Sequence, residues 1–383
     1  MRRPVGDARA ISTAIGGLLA IAAAIGIGRF VYTPILPPMI EALSLSKAQA
    51  GLIASANFLG YLIGALLAAM PTLPGSQRFW VLAALTVSAL TTAAMGLCEA
   101  MPAFLALRFA GGAASAFVLI ISSTLVLERL AEAGRSGLSA LHFAGVGSGV
   151  AVSAALVAAL LRLGQPWPIL WLASGALSGA ALFAVAGLLP SRAASVAKPG
   201  PRARTGLDPR LRRLIIAYGL FGFGYIITAT FLVAIVRGAP AIQALEPVIW
   251  IVFGLAAAPS VALWTWIATR LGVPGACALA CVIEAVGVLA SVNQTVGGIF
   301  AAAILVGGTF MGITALGLIQ ARALATGDPR SALALMTGAF GFGQIIGPYC
   351  AGIVSDRLDN FTVPSIAAAI ALLVAAALAR KSA

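Results

Sequence analysis

Residues 26–33 read Gly26-Ile27-Gly28-Arg29-Phe30-Val31-Tyr32-Thr33, and residues 222–229 read Gly222-Phe223-Gly224-Tyr225-Ile226-Ile227-Thr228-Ala229, at an offset of 196. Two further pairs keep that spacing. Gly111-Gly112 recurs as Gly307-Gly308, again 196 residues on, and Arg135-Ser136-Gly137-Leu138 recurs as Arg330-Ser331-Ala332-Leu333, 195 residues on. Three matches in order, at a nearly constant offset, indicate two related halves.

Composition says what the halves are made of. Of 383 residues, 61% are hydrophobic and 9% charged, against roughly 25% charged in an ordinary soluble domain. Mean hydropathy is +1.05. A soluble chain of this size has no way to cover that much apolar surface. A soluble enzyme, a disordered chain and a nucleic-acid-binding module are therefore excluded. Four cysteines make no disulfide scaffold. Forty-three glycines suit close packing of membrane helices.

A membrane helix needs about 20 mostly apolar residues. Twelve such runs are present, near 11–39, 47–69, 79–98, 102–127, 137–161, 167–189, 211–236, 244–268, 273–292, 297–322, 331–354 and 361–379. The expected fold is all-α: twelve transmembrane helices in two six-helix repeats. Because six is even, both halves have the same orientation and are related by an axis along the membrane normal. The organisation expected is an N-terminal bundle over 1–189, a basic, Pro-rich linker over 190–210 and a C-terminal bundle over 211–383. Arg2, Arg3 and Arg9 before an apolar run imitate a signal peptide, but the run is too long, and it reads as an uncleaved first helix.

Lys/Arg placement sets the orientation. With the N-terminus inside, 18 basic residues fall on the cytoplasmic side and four outside (Lys47, Arg162, Arg237, Arg357), leaving Arg29 and Arg108 within spans. That asymmetry predicts cytoplasmic termini and a cytoplasmic linker. It also accounts for most of the net charge of +13 without a nucleic-acid partner.

The twelve spans, the 6+6 division and the basic central loop resemble the major facilitator superfamily. Arg108-Phe109-Ala110-Gly111-Gly112-Ala113 matches its Arg-and-glycine signature in helix 4. Gly343, Gly347, Pro348 and Gly352 are similar to the Gly/Pro spacing of transporter helices 5 and 11. Gly26 to Phe30, followed by Tyr32-Thr33-Pro34-Ile35-Leu36-Pro37, looks like the bacterial YbfB/YjiJ-type branch, and that resemblance implies a bacterial inner membrane. One motif departs. The superfamily loop between helices 2 and 3 usually carries Gly-x-x-x-Asp-Arg, and Met70 to Arg78 here contains no Asp. The resemblance implies alternating access around a central site lined by helices 1, 2, 4, 5, 7, 8, 10 and 11.

A charge inside a membrane costs about 2.5–3.5 kcal/mol on insertion scales and usually faces a protein interior. Arg29 is the single charge between Ala10 and Ile40. Its planar fork suits a carboxylate; the alternative is capping of helix carbonyls. Tyr32 follows at i+3. Arg108 is tied to coupling by the resemblance, and otherwise reads as a hydrogen-bond hub between helices. Asn57 and Tyr61, Tyr225 (the repeat counterpart of Arg29) and Gln344 complete the candidate substrate contacts, with Tyr218 and Gln320 behind them. The candidate proton-coupling residues are Arg108, His142 and Glu284. His142 is the sole histidine, and Glu284 sits mid-helix with Cys281 and Cys277 one and two turns earlier. For His142 and Glu284 the alternative is an ordinary packing or hydrogen-bonding role.

No nucleotide loop, metal spacing or Ser/His/Asp arrangement is present, so neither cofactor nor metal is expected. The function expected is secondary active transport of a small organic solute, anionic given Arg29 and Arg108 or an efflux substrate, with protons as the coupling ion and a monomeric protein in the bilayer. The alternatives are a sensing or scaffold protein on a transporter fold and a membrane-embedded enzyme.

Overall fold

The computed structural model describes residues 4–70, 73–189, 208–325 and 329–382. The linker predicted over 190–210 lies outside them up to residue 207. The elements are α1 (Pro4–Ile21), a π-helical turn (Ala22–Ile27), α2 (Tyr32–Leu43), α3 (Lys47–Ala68), α4 (Gln77–Ala94), α5 (Met101–Glu132), α6 (Ser139–Arg162), α7 (Trp167–Leu188), α8 (Pro209–Arg237), α9 (Glu246–Ala257), α10 (Ser260–Ala290), α11 (Val296–Leu324), α12 (Pro329–Leu358) and α13 (Thr362–Arg380). Among the described residues, ten helices are long and apolar enough to cross a membrane, and Gln243–Ala257 is a shorter apolar helix.

Two spans depart from single helices. The first is α1, the π turn and α2 in series. Pro34 has no N–H for the Phe30 carbonyl, so that carbonyl accepts from Thr33 N at 3.2 Å instead. Pro37 and Pro38 follow inside α2. Gly26 keeps the broken stretch close to its neighbour, because a Cβ there would lie 2.5 Å from the Gly149 Cα of α6. The second departure is α10. Gly272 has φ 71° and ψ 158°, which ends one helix and starts another before Pro274. The eighth span is therefore α9 plus 260–271, and the ninth is 273–290.

The halves meet along a seam. Across it α3 packs on α12, α6 on α9, and α2 on α8. Thr33 Oγ1 donates to the Ala229 carbonyl at 2.7 Å. Arg237 grips Glu41 through Nε (2.6 Å) and Nη2 (2.5 Å). Both pairs are separated by 196 residues. Equivalent positions of the two repeats thus touch each other, as they must where a two-fold pseudo-axis passes between the first and seventh spans. Other cross-seam bonds are Ser55 Oγ to the Ile345 carbonyl (2.6 Å) and Trp250 Nε1 to the Phe30 carbonyl (3.2 Å).

One end of the seam is ionic. Asp356 of α12 accepts from the backbone N–H of Lys47 (2.8 Å) and of Ala48 (2.9 Å), so it caps the N-terminus of α3 from the other half. Lys47 Nζ pairs with Asp359 at 2.8 Å. Arg237 Nη1 also holds Glu246 at 2.9 Å. At the opposite end, Arg78 donates to the Leu189 carbonyl at 3.2 Å and to that of Ala186, and Arg213 to the Lys381 carbonyl at 3.1 Å. Those bonds stay within one half. Arg78 thus binds the end of the sixth span in a loop that lacks the usual Asp.

Candidate functional site

The break in the first span places the site. The π turn and the turn residues 28–31 behind it leave the carbonyls of Gly28 and Arg29 out of the helix ladder. Arg108 of α5 takes both: Nη1 donates to Gly28 O and Nη2 to Arg29 O, each at 3.0 Å. Its guanidinium also lies over the rings of Tyr32 (5.1 Å) and Trp171 (5.9 Å). Asn57 Nδ2 in turn donates to the Arg108 carbonyl at 2.9 Å. Arg108 is therefore the hydrogen-bond hub of the first half, and Asn57 fixes its helix.

Held this way, Arg29 projects between aromatic faces. Its guanidinium carbon is 4.6 Å from the Phe58 ring centroid, 4.5 Å from that of Tyr61 and 5.5 Å from that of Phe30. The side chain is only 5% exposed. Nε and Nη2 are buried and make no hydrogen bond. Those two N–H groups share one edge of the guanidinium, the edge that accepts a carboxylate side-on.

Across the seam stands Tyr225. Its hydroxyl is bonded by Gln344 Nε2, and Gln344 Oε1 makes no hydrogen bond. The Tyr225 ring is nearly parallel to Phe310 (5.6 Å, 11°) and Phe340 (5.8 Å, 7°). The Tyr225 hydroxyl lies within electrostatic range of Arg29. Arg29, Tyr61, Tyr225 and Gln344 are all buried, so the arrangement is occluded from solvent.

The remaining sequence candidates separate from this group. Tyr32 faces away from Arg29's free edge: its hydroxyl donates to the Ala50 carbonyl at 2.8 Å and its ring lies under Arg108. Tyr218 donates to the Thr314 carbonyl at 3.1 Å, and Gln320 to the Ser382 carbonyl at 3.1 Å. His142 Nε2 pairs with Ser123 Oγ at 3.0 Å. The ring fills space left by Gly17, where a Cβ would lie 2.3 Å from its Nδ1. Gly17 is 12 residues from Arg29, about 18 Å along a helix. Glu284 is fully buried between α10 and α11, and neither carboxylate oxygen makes a hydrogen bond. Cys277 and Cys281 are buried free thiols. No group of three metal-ligating side chains occurs among the described residues.

Sequence reasoning missed the aromatic walls. Phe58, Phe310 and Phe340 carry no polar atom and read as lipid- or core-facing. The available signal was the i,i+3 pair Phe58–Tyr61 on one face of α3.

Comparison with known proteins adds the family. The family described as "Uncharacterised MFS-type transporter YbfB" matches residues 21–380. The chain belongs to the major facilitator superfamily. Among solved structures, a nucleoside transporter, NupG, is 15% identical with a TM-score of 0.71, over 97% of this chain and 98% of that one. A bacterial homolog of the human lysosomal transporter Spinster, in an inward-facing and occupied conformation, is 14% identical with a TM-score of 0.75, over 100% of this chain and 97% of that one. The same homolog in its unoccupied conformation gives a TM-score of 0.71 at 14% identity, over 100% and 98%. At these identities the likeness is one of fold. No curated protein matches. The chain is thus a multi-pass membrane protein of a transporter superfamily, with all-helical repeats.

Proposed function

We propose that this protein is a secondary transporter for a small organic anion carrying a carboxylate, driven by the proton gradient across the bacterial inner membrane. The observation that carries the reading is the buried, unpartnered Nε–Nη2 edge of Arg29. A desolvated cation with two unused donors is costly until an anion meets it. The aromatic faces of Phe58 and Tyr61, with Tyr225 and Gln344 across the seam, supply the apolar walls and polar fixings of a solute site. Asn57, Tyr32 and Arg108 hold the backbone that presents Arg29.

Movement follows from the seam. The two bundles, 1–189 and 211–383, rock about the Arg29–Tyr225 region while the linker stays cytoplasmic. The ionic end, with Lys47, Arg237, Glu41 and Asp356, is the external end on the basic-residue asymmetry. Opening there exposes the site to the outside, and opening at the other end exposes it to the cytoplasm. The protein works as a monomer, since the site is completed within one chain.

The test compares matched solutes. Benzoate should raise the Tm of the purified protein, and benzyl alcohol should not. In proteoliposomes under an imposed pH gradient, benzoate accumulation should exceed both that of protein-free vesicles, which the neutral acid enters unaided, and that of Arg29→Ala. Arg29→Ala should lose the Tm shift while remaining folded, and Arg29→Lys should keep part of it, because charge remains but the fork does not. Equal shifts from the neutral alcohol, or an unchanged shift in Arg29→Ala, would overturn the reading.

A further inference from the structure

Among the described residues, three formally charged side chains are buried in the spans: Arg29, Arg108 and Glu284. Arg108 spends both Nη groups on carbonyls. Arg29 keeps a free edge, and Glu284 lacks any donor. The Thr309 hydroxyl is beside the Glu284 carboxyl. It donates, however, to its own helix, to the carbonyls of Leu305 (2.6 Å) and Val306 (3.2 Å). Its oxygen is left as an acceptor. With its hydrogen on the Leu305 carbonyl, the hydroxyl accepts from a protonated Glu284.

We propose that Glu284 is the proton-carrying group of the transport cycle, and that the cargo-bearing closed state forms when Glu284 holds a proton and Arg29 holds the anion, the empty carrier closing at a higher cost. The proposal rests on the carboxylate reading of the Arg29 site for its cargo, but not for its proton. Sealing an ionised Glu284 away from water, with no donor, costs several kcal/mol. Sealing Arg29 without an anion costs on the same scale. Loading one proton and one monoanion removes both costs together. Release from the open state returns the Glu284 proton to water on that side.

The Tyr225 hydroxyl lies within electrostatic range of both Arg29 and Glu284, so the two charges act on one another across the seam. Anion binding at Arg29 therefore favours protonation of Glu284, and the linkage is reciprocal. The groups that face Glu284 are few. On its own helix they are Cys277 and Cys281, from α11 Thr309, and from α8 Tyr225. From α13, packed on the other side of α10, no ionisable side chain lies between Thr362 and Ala379.

The experiment reads the proton without a substrate. Infrared difference spectra of the protein in lipid nanodiscs are recorded across a pH titration. A protonated-carboxyl C=O band should be present in the parent protein and lost in Glu284→Gln. In Arg29→Gln, or Arg29→Met if the first variant does not fold, its midpoint should rise by about one pH unit or more, a tenfold gain in proton affinity. Arg29→Lys, which keeps the charge, should titrate near the parent. Benzoate should raise the parent's midpoint and leave Arg29→Gln unchanged. A band that survives Glu284→Gln, or a midpoint indifferent to the Arg29 charge, overturns the proposal. If benzoate gives neither a Tm shift nor a midpoint shift, while Arg29→Gln still moves the midpoint, the carboxylate reading falls and the Glu284–Arg29 linkage stands.

Discussion

Arg29 and Arg108 have the same side chain and opposite uses. Both are visible in the sequence, because a charge in an apolar run has to be explained. Their division of labour is not visible, because it depends on which carbonyls a broken helix releases. Arg108 holds two of them, so its loss leaves two buried acceptors unmet at about 1–3 kcal/mol each. Arg108→Ala should therefore lower the Tm in detergent clearly more than Arg29→Ala, which removes a side chain with unused donors. Arg108→Lys should recover only part, since one ammonium has no fork to span both carbonyls. A Tm for Arg108→Ala equal to that of Arg29→Ala would reject the hub. The aromatic partners Phe58 and Phe310 escaped sequence reading for a complementary reason: an apolar side chain says it is buried, not against what.

Helices show what periodicity can and cannot carry. The stop between the eighth and ninth spans was legible, since Gly272 and Pro274 interrupt an apolar run, and the backbone turns there with positive φ. The break within the first span was not. The run from Ala10 to Ile40 is continuously apolar apart from Arg29, and a π turn changes the hydrogen-bond ladder without changing hydropathy. Its packing yields a sharp expectation. A Cβ at Gly26 would press to 2.5 Å on the backbone of Gly149, where no side chain can yield. Gly26→Ala should force the first span off α6 and displace Arg29, lowering both Tm and solute affinity. Gly17→Ala meets the edge of the His142 ring instead, at 2.3 Å, and His142→Ala should rescue it. Gly26→Ala should gain nothing from that second change. A Gly26→Ala protein with parental Tm and affinity would show that the two helices separate freely.

Over the whole molecule, the repeat was legible because 196 residues separate matched motifs, and the same separation recurs between atoms in contact at Thr33–Ala229 and Glu41–Arg237. The ionic seam was not legible, since Lys47, Arg237 and Asp356 read as ordinary loop charges. Its strength can be bounded. Glu41 is 59% exposed at the side chain, and such a pair is worth about 0–1 kcal/mol; Asp359 is 99% exposed, so its pair with Lys47 is screened by solvent. Together with the α3 cap from Asp356 they form a latch that can open on a transport timescale rather than a permanent weld. Asp356→Asn with Arg237→Gln should therefore shift the population towards the outward-open form without unfolding the protein. A membrane-impermeant maleimide added from outside should label Ser55→Cys, in a background with Cys98 and Cys350 replaced, several-fold faster in that double variant. Raised salt should speed the parent in the same direction by screening. Acid should add to it. The Lys47 ammonium holds the Asp359 carboxyl below its usual range, so the pair contributes fully above the ordinary Asp value of about 3.9 and is lost as pH falls through the lowered one. The Lys47–Asp359 share of the acceleration should accordingly begin below about pH 4, and the acid effect should be smaller in Asp359→Asn. Labelling that is indifferent to the double substitution, to salt and to acid would mean that apolar packing of α3 on α12 alone closes this end.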